Sequence, residues 1–152
     1  MSIAPISAHD AEVAALITLH LAGMQAHSPP DAVFAVDLAG YADPELTLWG
    51  AFIDDRLAGM VALRRLDGAL GEIKSMRTHP DFLRRGVARA LLNHLIEEAR
   101  EMGVARLALE TGSGPAFDPA LTLYRRRGFT DAEAFGDYNK SAFNQFLDLS
   151  LI

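Results

Sequence analysis

The sequence predicts an α/β fold of the α+β mixed-sheet kind, with helices on both faces of the sheet. Two observations predict it. Residues 45–78 read as consecutive strands joined by tight turns, which pair antiparallel. Residues 72–110 read as strand, loop, helix and strand, the crossover that a parallel pair requires. Hairpins beside crossovers make a mixed sheet.

Taken in order, Ile3 to Ser7 is a short first strand. From His9 the pattern turns helical, with Val13, Leu16, Ile17, His20, Leu21 and Met24 spaced along one face. His27-Ser28-Pro29-Pro30-Asp31 ends that helix, because proline cannot occupy a helix interior. Pro30 and Asp31 are suited to open a second short helix through Leu38. Glu45–Asp54 and Arg56–Leu66 form a hairpin around Asp54-Asp55, and Asp67-Gly68 turns the chain into a third strand, Ala69–Thr78. Simple alternation on that strand puts Glu72, Lys74, Met76 and Thr78 on one face and Ile73, Ser75 and Arg77 on the other. Val87, Leu91, Leu95, Ala99 and Met102 are the buried stripe of a helix that ends at Gly103. Arg106–Glu110 is a strand, Thr111–Pro115 a loop, Pro119–Arg127 a helix with Gly128 just past its end, and Phe143–Leu149 a final strand. The order expected is β-α-α-β-β-β-α-β-α-β-β.

The chain has 152 residues, the size of one domain, and half of them are hydrophobic. A net charge of −6 and a pI near 5.3 argue against general nucleic-acid binding, which needs a basic footprint. There is no cysteine, so disulfides, thiolate metal sites and cysteine nucleophiles are excluded. No window approaches the roughly 20 apolar residues of a membrane span, and the N-terminus lacks a basic region followed by an apolar run. A cytoplasmic protein with no membrane, nucleic-acid or metal partner is expected.

The sharpest local signal is HPDFLRRGVARALL (79–92). The first amides of a helix lack internal acceptors and sit at the positive end of its dipole. Gly86 and small Ala88 let an anion approach, and Arg84, Arg85 and Arg89 add positive charge. Locally, these arginines read equally well as solvated residues at a helix start. The stretch is neither a Walker loop nor the GxGxxG dinucleotide pattern.

Beyond the loop, EIKSMRTHPDFLRRGVARALLNHL (72–95) and LALE…LYRRRGF (107–129) resemble the GNAT family of acyl-CoA-dependent N-acetyltransferases, and the chain looks like a small bacterial-type member. The resemblance spans nearly the whole chain. It implies a GNAT-like acyl-CoA N-acyltransferase fold and a single N-acetyltransferase domain over 1–152. It also implies that Leu83-Arg84-Arg85-Gly86-Val87-Ala88, with Arg89, binds the coenzyme A pyrophosphate through backbone amides. Leu83 stands where the family usually has Gln or Arg. By the same resemblance, Met76, Arg77 and Thr78 pair by backbone with pantetheine, whose two amides can extend a strand edge. The sheet would splay there to admit it. Phe117 occupies a position where many members carry Asn.

Acetyl transfer requires an amine without its extra proton, a polarised thioester carbonyl and a stabilised thiolate. Glu72 and Glu110, at positions that carry catalytic glutamates in parts of the family, are by resemblance the candidate bases, with Glu72 placed first. Tyr124 stands where the family often has a tyrosine, so the resemblance implies it as the candidate acid, and a phenol near pKa 10 can protonate a thiolate at little cost. Without cysteine, no cysteinyl-acyl intermediate can form, so acetyl-CoA is expected to deliver its acetyl group directly in a ternary complex. His27, Ser28, Lys74 and Tyr138 are candidates for the acceptor cleft. His20 reads as a core histidine. Arg64, Arg65, Lys74 and Arg77 place positive charge on the central strands, which would suit an acceptor with a carboxylate.

The expected partner is therefore a small-molecule amine or amino-acid-like acceptor, with a homodimer left open. The alternatives are a protein (lysine or N-terminal) acetyltransferase and a non-catalytic acyl-CoA-binding sensor. A nucleotide-binding module would need phosphate glycines and a metal carboxylate that the sequence lacks.

Overall fold

The computed structural model describes residues 1–33 and 40–152. Its elements are β1 (Ser2–Pro5), α1 (Ala11–His27), β2 (Leu46–Ile53), β3 (Arg56–Arg65), β4 (Leu70–Thr78), α2 (Val87–Glu101), β5 (Arg106–Thr111), α3 (Asp118–Arg126), β6 (Thr130–Asp131) and β7 (Gln145–Ser150). The strands form one sheet in the order β1-β2-β3-β4-β5-β7-β6. Every neighbouring pair is antiparallel except β4 and β5, which are parallel and joined through α2. The expected mixed sheet is therefore present. Of the helix expected over 30–38, Pro30–Ala32 forms a single 3-10 turn, and residues 34–38 lie outside the described residues.

Local chemistry accounts for the hairpins. Asp54 and Asp55 both take positive φ, +51° and +63°, so the β2–β3 turn is of the primed kind whose twist matches the strands. Short polar side chains tolerate this conformation better than bulky ones.

Each face of the sheet carries its own core. On one face, α2 packs Leu91, Leu92, Leu95 and Ile96 against Val61, Leu63, Leu107 and Leu109, and α3 adds Leu121 and Tyr124. Full burial of each such aliphatic side chain contributes about 1.5–3 kcal/mol. On the other face, Val13, Leu16 and Ile17 of α1 meet Leu57, Met60 and Ala62 of β3. Beside them, residues of the 132–144 loop fold back so that Phe135 packs on Ala108 and Phe146. Gly59 allows α2 to start close to the sheet, since a Cβ there would lie 2.7 Å from a Val87 methyl.

Two irregularities position the site. The first is a bulge in β4. Met60 pairs with Arg77 and Ala62 with Lys74, so two steps along β3 match three along β4. Ser75 is the extra residue, left-handed at φ +57°, and its Oγ is 2.7 Å from the Tyr41 hydroxyl. Simple alternation therefore fails beyond Lys74. Arg77 lies opposite Met60 on the α1 face, together with Glu72 and Lys74, while Met76 joins Ile73 in the α2-side core.

The second is a splay. β4 and β5 pair only through Leu70, Gly71 and Glu72 with Arg106, Leu107 and Ala108. β4 runs on to Thr78 and β5 to Thr111, so the sheet opens into a V, as the family resemblance implies. Among the described residues, the β5-facing edge of β4 beyond Glu72 has no strand partner.

Candidate active site

A cleft of about 200 Å³ occupies the V. β4 contributes Glu72 to Arg77, β5 contributes Leu109, Glu110 and Thr111, and α1 contributes His20, Gly23, Met24 and His27. Phe117, Ala120 and Tyr124 close it from α3 and the turn before it, and Tyr138 from the loop preceding β7.

Glu72 and Ala108 are opposite one another at the apex of the V. The two-residue period of a strand places Glu110 on the same face as Ala108. Glu72, Lys74, Arg77 and Glu110 thus converge from two strands on the α1 side, whereas Tyr124 approaches from the α2–α3 core. No local pattern in the sequence joins these residues. The splay and the bulge do.

The two carboxylates have different surroundings. Glu72 is 3% exposed. The Tyr138 hydroxyl donates to its Oε2, and Lys74 Nζ approaches the same oxygen at 3.4 Å while donating to the Tyr138 hydroxyl at 2.8 Å. A buried ion pair is tolerable when further hydrogen bonds satisfy it, and Tyr138 supplies them here. Glu110 is only partly buried. Burial pushes its carboxyl up to about 7, the Glu72 charge adds to the rise, and Lys74 and a hydrogen bond with Asn144 oppose it.

Burial raises Tyr124 above the ordinary phenol range, which removes the near-equal acidity assumed for it from sequence. It keeps the hydroxyl protonated and able to donate. Tyr138 is raised too, by burial and then by the Glu72 charge.

His20 is buried as a core histidine would be, yet it also lines the cleft. Its Nδ1 accepts from Arg77 Nε at 2.9 Å. Burial and the Arg77 and Lys74 charges lower it to about 4, so the ring is neutral. His27 is exposed at the cleft rim. Ser28 does not line the cleft; its Oγ is buried without a hydrogen-bond partner among the described residues. Arg64 and Arg65 also lie away from the cleft. Arg64 pairs with Asp43 at 3.3 Å, and Arg65 reaches the Met102 carbonyl at 3.5 Å.

The arginine loop lies beside the end of β4. Arg84 and Gly86 are left-handed at φ +61° and +77°, which turns the chain into α2. No side chain caps that helix. Its first intrahelical donor is Ala90 N, to Gly86 O at 3.0 Å. The amides of Val87, Ala88 and Arg89 therefore have no helical acceptor. Leu83, Arg84, Arg85 and Arg89 are exposed around them, and the Arg85 guanidinium sits 5.5 Å from the Phe82 ring centre. Asn144, Gly23 and the cleft-facing role of His20 were not legible in the sequence. No motif marks them, and the tertiary fold alone brings them in.

Among the described residues, no group of His, Asp and Glu is arranged to hold a metal ion, and no helix is long and apolar enough to cross a membrane.

A splayed mixed sheet with an uncapped helix start beside the splay is the architecture of an acyl-CoA N-acyltransferase. The model of the Acetyltransferase (GNAT) family matches residues 13–129, and the chain belongs to that family; it is an acetyltransferase enzyme. It is 45% identical over 140 residues to "Uncharacterized N-acetyltransferase YsnE" of Bacillus subtilis, a match covering 92% of this chain and 93% of that protein. To "Uncharacterized N-acetyltransferase YedL" of Escherichia coli it is 42% identical over 139 residues, covering 91% and 87%. The fold is shared with the crystal structure of a putative acyl-CoA N-acyltransferase from Klebsiella pneumoniae, at a TM-score of 0.81 and 24% identity over 99% of this chain and 97% of that one.

Proposed function

We propose that the enzyme moves the acetyl group of acetyl-CoA to a primary amine of a small molecule by direct transfer in a ternary complex. The observation that carries this reading is the V between β4 and β5, which sets Glu110 and Tyr124 on the two sides of one cleft. In this reading the pyrophosphate rests on the Val87–Arg89 amides at the positive end of α2, with Arg84, Arg85 and Arg89 around it. Pantetheine runs along the open edge of β4 at Met76–Thr78 and adds to it as a strand would. The thioester then lies in the V, with its sulfur toward Tyr124 and its carbonyl toward the α1 face.

Glu110 takes a proton from the acceptor's ammonium group. A carboxyl held near 7 is better matched to this task than an ordinary one, and it is less engaged than Glu72. The freed nitrogen attacks the acetyl carbon, and the carbonyl pair moves onto oxygen, where a backbone N–H of the 76–78 edge stabilises it. As the carbonyl re-forms, the C–S bond breaks. Tyr124 donates its hydrogen bond to the departing sulfur, and the proton follows in step with cleavage, since its raised pKa disfavours early transfer. The attacking nitrogen gives up its second proton to solvent as the amide forms, and solvent also restores the phenol and removes the proton from Glu110. Glu72, Lys74 and Tyr138 position the cleft and set the charge that Glu110 experiences.

Calorimetry with acetyl-CoA, followed by a thiol-release screen over amines, amino acids and a lysine-containing peptide, tests this. Binding with turnover of small amines is expected. Turnover of the peptide alone would replace the acceptor class, and binding without any turnover would leave a coenzyme sensor.

A further inference from the structure

We infer that the acceptor carries a carboxylate in addition to its amine, and that the Arg77 guanidinium, aimed by His20, receives it. This rests on the acetyltransferase reading above and names its substrate class.

The Ser75 bulge divides Arg77 between two tasks. Its backbone lies on the open β4 edge, while its side chain is turned onto the α1 face and into the cleft. There Nε donates to His20 Nδ1 at 2.9 Å, and Nη2 reaches the His20 carbonyl at 3.4 Å. Both partners are neutral. Arg56, Arg64, Arg100, Arg106 and Arg125 meet acids, as Arg56 meets Asp81 at 2.8 Å and Arg106 meets Asp148 at 2.7 Å, while Arg65 and Arg127, which meet neutral oxygens, do not line the cleft. No carboxylate pairs with Arg77 among the described residues. A half-buried charge without a counter-charge is unfavourable, and this one opens onto the space a substrate would enter. Burial already lowers the Arg77 pKa, as expected for a cation short of solvation.

The unfilled part of the guanidinium has the right shape. His20 occupies the Nε side, which leaves the end-on pair, Nη1 and Nη2, with N–H groups to offer. Such a fork matches the two oxygens of a carboxylate. Gly23 makes the arrangement possible, since a Cβ there would lie 2.9 Å from Nη2 and 3.4 Å from Cζ. One guanidinium beside a neutral imidazole suits a singly charged group. Of the two acids in the cleft, Glu72 is engaged by Lys74 and Tyr138, and the charges acting on Glu110 are those of Lys74 and Glu72. Neither replaces the missing anion.

The test is a comparison of kcat/KM by thiol release for α- and ω-amino acids against the amines that lack only their carboxyl group. The wild-type enzyme is expected to favour the acids at least about tenfold. In Arg77→Gln that ratio should fall toward one, chiefly through KM for the acids, while acetyl-CoA still binds by calorimetry. Gly23→Ala provides a variant whose folding is not at risk, because alanine is the better helix former. Its methyl displaces the guanidinium, so the same ratio should fall. Equal use of acids and amines, or a preference that persists in both variants, would overturn the inference while leaving the acetyltransferase intact. Loss of acetyl-CoA binding by the wild-type protein would instead remove the reading beneath it.

Discussion

Glu110→Gln removes the proposed base and keeps its shape, so the pH dependence of the reaction reports on it directly. With its carboxyl near 7 rather than at the usual 4.5, Glu110 is half ionised at pH 7. At pH 6 about 9% of it is ionised, and at pH 5 about 1%, whereas an ordinary glutamate would remain almost wholly ionised at pH 6. Only the carboxylate accepts a proton, so wild-type kcat/KM should fall about tenfold per pH unit below 7 and lose this dependence above it. Glu110→Gln should lower kcat by about 10²–10⁴-fold and abolish the limb. Stability supplies an independent reading with a defined sign. The folded state holds the Glu110 proton up to about 7 and the unfolded chain releases it near 4.5, so between these values the folded state binds more protons. The contribution is therefore lost as pH rises through that window. The melting temperature of the wild type relative to Glu110→Gln should decline from pH 4.5 to 7 and then level. A wild-type rate that is flat from pH 5 to 7, or a limb that survives in Glu110→Gln, would refute the assignment and return attention to Glu72.

Other expectations follow from the same geometry. Tyr124→Phe should lower kcat with little change in acetyl-CoA affinity by calorimetry; unaltered turnover would remove Tyr124 from the thiolate. Gly86→Ala meets no atom within 4 Å, so its cost comes from the left-handed φ of +77°, about 1 kcal/mol or 2–4 °C in melting temperature. Its methyl would also stand beside the coenzyme amides, so acetyl-CoA affinity should fall by about tenfold, near 1.4 kcal/mol. Leu83→Gln, at a side chain 58% exposed, should leave stability within about 0.5 kcal/mol. It should leave acetyl-CoA affinity similar or tighter, and a large loss would mean that the loop docks the coenzyme differently from its relatives.

Burial of His20 makes acid stability a further readout. Its ring is held near 4 in the fold and titrates near 6.5 in the unfolded chain. The unfolded chain therefore takes up the proton first as pH falls. Stability from this residue is complete above 6.5 and declines down to about 4. A His20→Gln variant should lack that decline in a melting series across the window.

Most of the fold was legible in the sequence because its signals are local. The period-two runs of 45–78, the helical stripe from Val87 to Met102 and the glycine that opens α2 each depend on neighbours a few residues away. The amides left without helical acceptors at the start of α2 are equally local, since they follow from one helix end. Of the second helix expected through Leu38, the described residues show only the 3-10 turn Pro30–Ala32, since Pro29-Pro30 is compatible both with opening a helix and with a single such turn. The division of labour within the cleft was decided by tertiary structure. One extra residue at Ser75 reversed which face Arg77 occupies, and no alternation rule reveals a bulge in advance. The surroundings of the two glutamates are likewise tertiary: Tyr138 and Lys74 stand beside Glu72, and Asn144 beside Glu110. Residue types in the sequence determined that carboxylates, a phenol and an arginine were available. Their acidity and their partners follow from desolvation and from contacts between residues as distant in the chain as 20 and 77 or 72 and 138, and those exist only in the folded protein.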